Sequence, residues 1–253
     1  MRALHALVAL ALATSAGAQQ IRTVLPADPA RQASAPRDTS TTSYSVSGIQ
    51  VIHRQGTANL VVVNLYLLGG VRNATPETAG VEPFYLAVSE QGTERHSKDA
   101  LRRAMARTGS STALDAIDDW TLFGIRATTE VLDSVWGVFT DRLLRPRLDP
   151  AEIDFVRNQA LSGLVQVNEH PEPLLARATD SIAFRGHPYG LSPTGNAVSL
   201  AAITRESLLQ WKREQLVKSR LLLVVVGNVP RAKLEQLVAL SLGTLPTGGY
   251  VWT

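Results

Sequence analysis

The chain has 253 residues, 45% of them hydrophobic, and a formal charge of only +3, which is enough apolar material for a substantial core and excludes wholesale disorder. There is no long basic run and no interleaving of basic with aromatic residues, so nucleic acid is excluded as an expected partner. Cysteine is absent, which excludes thiol chemistry, cysteine-bound zinc and disulfide bracing.

Residues 1–18 have the pattern of a secretory signal peptide: Arg2, the apolar run 6–13, then small residues at Ala16 and Ala18. Export to the periplasm or beyond is therefore expected. The run is shorter than the roughly 20 apolar residues of a membrane anchor, and no later segment reads as a membrane span. Residues 19–43, rich in Ala, Ser, Thr, Pro and Arg, read as a flexible linker, and ordered structure is expected from about Tyr44. Ile49, Val51 and His53 alternate with polar residues as in a strand. The run 60–68, LVVVNLYLL, reads as a strand covered on both faces.

Residues 80–93, GVEPFYLAVSEQGT, predict a short helix. Val81, Phe84, Tyr85 and Val88 fall on one helical face, and Pro83 must lie in the first turn, where its missing N–H is harmless. A second helix is capped by Ser97, turns Leu101, Ala104 and Met105 inward and ends at Gly109, with Arg102, Arg103 and Arg107 on a solvated face. Residues 110–117 and 120–127 predict an antiparallel strand pair.

Four helices are then expected. The first carries the stripe Leu132, Val135, Trp136, Phe139 and Leu143. The second opens at Asp149-Pro150-Ala151-Glu152 with a capping box and buries Ile153, Val156, Ala160, Leu164 and Val167. The third starts at Pro171 and turns Leu174, Leu175, Ala178 and Ile182 inward. The fourth is capped by Thr204 and carries Leu208, Leu209 and Trp211. The run 220–226, RLLLVVV, reads as a buried strand, and a last helix follows Pro230. Strand pairs and helices come in separate runs, which gives an α+β class: a mixed, mainly antiparallel sheet with helices packed on it.

Several local patterns in this order resemble the N-terminal domain of the insulinase/pitrilysin family. They are Gly69-Gly70 at a strand end, a helix closing in Gly92-Thr93, Asp119-Trp120-Thr121, Glu169-His170-Pro171-Glu172, the loop Phe184-Arg185-Gly186-His187-Pro188, Gly195, and Val226-Gly227-Asn228-Val229. The resemblance covers residues 44–246 and leaves 247–253 as a tail, or as the start of a linker to a missing second domain.

Active members of that family are zinc metallopeptidases with an inverted HxxEH motif. Carried over by position, the resemblance puts Pro83 at the first zinc histidine, Leu86 at the general-base glutamate, Ala87 at the second histidine and Gly163 at the third ligand. Catalytic zinc needs about three protein donors and a base for its water. Proline, leucine, alanine and glycine side chains supply neither, so no metal and no catalytic residue is expected here. Gly163, beside the inward Leu164, is expected to be tightly packed. The family's Asn-Ala pair on a substrate-binding edge strand falls on Ala113-Leu114.

The resemblance thus implies a non-catalytic homologue that helps form a peptide-binding chamber with a zinc-bearing homologous subunit or second domain. An active zinc metalloendopeptidase with a displaced site, or a stand-alone peptide-binding scaffold, are the alternatives. His53, His96, His170 and His187 show no helical pairing, and neither a Gly-x-Ser-x-Gly elbow nor a P-loop is present.

Overall fold

The structure, a computed structural model, describes residues 40–252; the expected signal peptide and nearly all of the expected linker lie outside them. Strands β1 (Thr41–Val46), β2 (Ile49–Gln55), β3 (Leu60–Leu68), β4 (Ser111–Ala116), β5 (Trp120–Thr128) and β6 (Leu221–Gly227) form one sheet. Their spatial order is β1-β2-β6-β3-β5-β4. Only β2 and β6 run parallel; every other neighbouring pair is antiparallel. The sheet is therefore mixed and mainly antiparallel, with helices packed against it, as the α+β reading expects. β1 starts at Thr41, inside the segment read as linker, because Thr41 and Thr42 extend the pairing with Arg54 and His53.

The two most apolar strands, β3 and β6, lie side by side in the middle, where neighbours on both edges satisfy their backbone groups. They are not covered equally on both faces. Val61, Val63, Leu65 and Leu67 are buried with Leu221, Leu223 and Val225, whereas Val62, Tyr66, Leu222 and Val224 are only half-buried. The helices supply the core on one face; the other face is left with an apolar strip on which Tyr66 meets Trp120 edge-on at 5.1 Å.

The helices are α1 (Val81–Val88), α2 (Lys98–Thr108), α3 (Leu132–Leu144), α4 (Pro150–Glu169), α5 (Pro171–Ala183), α6 (Ala197–Ala202), α7 (Arg205–Gln215) and α8 (Arg231–Leu240). Ser97 caps α2, accepting from the Ala100 N–H, and Gly109 ends it in the left-handed region. The stripe of α3 is buried as its spacing predicts, with Phe139 stacked on Phe123 of β5 at 4.8 Å.

Two expectations for the helices fail here, and one helix was not foreseen. The capping box at Asp149 does not form: its carboxylate pairs instead with Arg147 Nε at 2.6 Å, a charged partner that outbids a backbone N–H. α5 does not turn its apolar residues inward. Leu174, Leu175 and Ile182 are exposed, because α5 lies against α4 at the periphery rather than on the sheet. α6 is an additional helix in residues 197–202, for which no element was expected; its signal was Asn196 three residues before Ser199, which form a reciprocal capping box.

Among the described residues no helix is long and apolar enough to cross a membrane. The segment read as tail returns to the domain: Ser219 N–H donates to the Thr247 carbonyl at 2.9 Å, Tyr250 N–H to Ser219 Oγ at 3.0 Å, and the Arg72 guanidinium stands 5.2 Å from the Trp252 ring.

Candidate functional site

α1 starts where two loops touch. Gly80 has φ 86° and Gly195 has φ 84°, a region that disfavours residues with a Cβ. A Cβ at Gly80 would lie 2.7 Å from the Thr194 carbonyl, and one at Gly195 would lie 2.8 Å from the Ala79 carbonyl. The two glycines let the loop after α5 press against the start of α1. Pro83 occupies the third helical position, so its missing N–H costs no internal bond. From there α1 packs on α4, α7, β4 and β5.

The helix is buried further round than one amphipathic stripe predicts. Val81, Phe84, Tyr85 and Val88 face the core, and Leu86, on another face, is also fully buried. Tyr85 donates its hydroxyl to the Leu143 carbonyl at 2.8 Å, and burial pushes its pKa up, so it acts as a fixed donor. Pro83 and Ala87 are half-buried. Gly163 lies on α4, but a side chain there would meet nothing within 4 Å. The expected tight packing at Gly163 is therefore absent: α4 leaves open space at that position.

The donor chemistry of Pro83, Leu86, Ala87 and Gly163 does not fit a zinc ion. Among the described residues no cluster of three or more His, Asp or Glu could hold one elsewhere. His53 is buried on β2, His96 pairs with Asp141 at 3.4 Å, His170 joins α4 to α5, and His187 Nδ1 accepts from the Tyr189 N–H at 3.2 Å. Ala113 and Leu114 lie on β4, at the end of the sheet order, opposite Gly124 and Phe123. β4 is thus an edge strand.

The α1 region also holds a charged pair that the sequence did not signal as a unit. Glu82, in the first turn of α1, faces Arg220 at the foot of β6; Glu82 Oε2 and Arg220 Nη2 are 2.9 Å apart. Arg220 is 2% exposed and Glu82 9%. The guanidinium also donates from Nε to the Leu68 carbonyl at 2.8 Å and from Nη1 to the Gln215 carbonyl at 3.2 Å. Burial pushes the Glu82 carboxyl up, and Arg220 opposes that shift. Thr121 and Trp211 stand near enough to favour its charged form, yet neither makes a well-aligned hydrogen bond to Oε1, which is buried without a partner.

This pair opens onto a cavity of about 310 Å³, walled by the start of α1, by α7 and by the turn after β3. The only sequence cue was a charge embedded in each of two otherwise apolar runs.

A second charged cluster lies beyond the other end of α1. Asp141 on α3 is 2% exposed and receives Arg145 Nε at 2.7 Å, with Arg95 at 3.8 Å and His96 at 3.4 Å. Burial alone would push its carboxyl up, but hydrogen bonds from Thr93, Arg145 and His96 outweigh it and hold the carboxyl below the usual range.

The insulinase family, peptidase family M16, matches residues 50–196. The alpha subunit of the mitochondrial-processing peptidase of Bos taurus is 26% identical over 206 residues, covering 80% of this chain and 39% of the subunit. An inactive peptidase M16 domain from Pseudomonas fluorescens shares the fold with a TM-score of 0.77 at 18% identity, over 84% of this chain and 52% of that one. The periplasmic protease PqqL from Escherichia coli does so with a TM-score of 0.74 at 16% identity, over 87% of this chain and 26% of that one. The chain spans about two fifths of the length of the curated relatives it matches.

Proposed function

The chain belongs to the insulinase family, peptidase family M16, and from that premise we propose that it is an exported, non-catalytic member that works with a zinc-bearing homologous subunit or second domain to enclose peptides. The observation that carries this reading is the donor set. The family scaffold is retained around α1, while Pro83, Leu86, Ala87 and Gly163 provide no metal ligand and no base. A water cannot be activated on this helix without both.

Several features support the rest of the reading. The apolar strip on the open face of the sheet suits contact with extended peptides, and β4 offers an edge for backbone pairing. On the α4–α5 pair, Val165 is 57% exposed, Leu175 67% and Ile182 66%. A homologous partner domain would cover these side chains. Relatives bear the names of alpha and beta subunits of the mitochondrial-processing peptidase, and one solved relative is described as an inactive M16 domain. Export rests on the signal-peptide pattern at 1–18, in keeping with a relative described as a periplasmic protease.

Zinc titration of the purified chain, followed by a peptidase assay with and without chelator, tests the central point. The expected result is no stoichiometric zinc binding and no chelator-sensitive cleavage. One tightly bound zinc per chain together with chelator-sensitive activity would overturn the reading. Affinity capture from the native compartment tests the partnership: a stoichiometric homologue carrying His-x-x-Glu-His is expected, and recovery of the chain alone would favour the stand-alone scaffold.

A further inference from the structure

The cavity beside α1 is a polar chamber with an unfinished hydrogen-bond network, and it stands apart from the proposed partnership. Its floor is the Glu82–Arg220 pair. Arg220 pairs with Glu82 and donates to Leu68 and Gln215, while its Nη2, 2.9 Å from Glu82 Oε2, is buried without a well-aligned hydrogen bond. Glu82 Oε1 is buried and accepts nothing within the protein. A buried carboxylate oxygen without a donor is costly, so what enters the cavity is selected for donating to it.

The rest of the lining narrows the class. Glu77 and Glu214 join Glu82 around the space, three carboxyl groups against the single guanidinium of Arg220. The excess negative charge disfavours an anion and favours a cation. No group of three ligating side chains is present among the described residues, which argues against a metal ion. Trp211 also lines the cavity, giving an aromatic wall of the kind that attracts ammonium groups, while Val71 and Ile203 add apolar surface. A volume of about 310 Å³ is at the lower end of small-molecule pockets.

We infer that this cavity binds a primary ammonium group on a short apolar stem, with the ammonium donating to Glu82 Oε1 and the stem lying against Trp211 and Ile203. A free amine and the amino terminus of a peptide share this chemistry.

The test uses the whole chain and four simple probes: n-butylammonium, n-butanol, butyrate and leucinamide. Calorimetry measures affinity, and the NMR signal of the Trp211 indole N–H reports the location. Saturable binding of n-butylammonium is expected, about tenfold or more tighter than that of n-butanol, with butyrate weakest and the Trp211 signal shifted. Whether n-butylammonium or leucinamide binds more tightly assigns the source, and binding of either supports the inference. Glu82→Gln should weaken the ammonium about tenfold, and Glu214→Gln, at an exposed position, by a smaller factor. Should Glu82→Gln fail to fold, the comparison of ammonium with alcohol on the unaltered chain still decides. Equal affinity for the two, no saturable binding, or an unmoved Trp211 signal would overturn the inference and leave water as the occupant.

Discussion

α1 and α4 pack against each other, and each carries a position that the family resemblance assigns to metal chemistry, yet the two positions differ physically. Leu86 on α1 is completely buried, so a large apolar side chain fills its space. Gly163 on α4 has nothing within 4 Å of where a side chain would begin. Under the proposed reading, one site group was replaced by core and the other was simply deleted. The first replacement contributes stability, and the second leaves α4 with a residue that weakens it. Loss of a metal site therefore need not leave a single kind of trace.

The sharpest way to test this contrast is to put the same charge at both places. Leu86→Glu buries an unpaired carboxylate in a filled site and should cost roughly 3–5 kcal/mol, a large share of a domain's stability. Gly163→Glu adds a side chain in open space, and its stability should stay within about 1 kcal/mol of the parent. Urea unfolding midpoints of the two variants give the answer directly. If Leu86→Glu unfolds at the parent's midpoint, then α1 is loosely packed on that side and the contrast fails.

The exit of α1 is held differently from its middle, by charge rather than by apolar packing. Asp141 ties Arg145 on its own side to Arg95 and His96 in the loop that follows α1. Asp141→Asn should cost about 2 kcal/mol at neutral pH, the scale of buried hydrogen bonds to a charged group. The sign with pH follows from the depressed carboxyl. The folded chain holds the ionised form more strongly than the unfolded chain does. The contribution is therefore complete above the ordinary aspartate range near pH ~4 and fades as pH falls toward the lower folded value. The difference in unfolding midpoint between parent and Asp141→Asn should accordingly shrink between neutral pH and strongly acidic buffer. A constant difference would mean that Asp141 acts by shape rather than charge.

What the sequence made legible follows from the range of the interactions. The stripe of α3, the Ser97 and Gly109 ends of α2 and the strand pair β4–β5 are local patterns, and each is found where the spacing predicts. The exposed leucines of α5 are locally just as apolar as those of α3; only the position of α5 at the periphery separates them, and no window of residues records that. Asp149 failed as a cap because Arg147, two residues away, competes for it. At the candidate site, the four donorless positions were readable one by one. The pairing of Glu82 with Arg220 was not, because it depends on β6 lying beside β3 and on the turn that brings α1 over its end.

The smallest expected effect bears on whether Gly163 is an unfilled position or a needed one. It lies inside α4, where glycine gives up about 1 kcal/mol relative to alanine through the extra freedom it loses on folding. Gly163→Ala should therefore raise stability by up to about 1 kcal/mol, since no neighbour stands within contact of the added carbon. That gain is expected for the chain by itself. If a partner domain presses on this face of α4, the added methyl would leave the isolated chain more stable while weakening capture of the partner. Measuring both on one variant separates open space from reserved space: a stabilised chain with unchanged capture marks Gly163 as a mere deletion, and a stabilised chain with weakened capture makes it part of the partner surface.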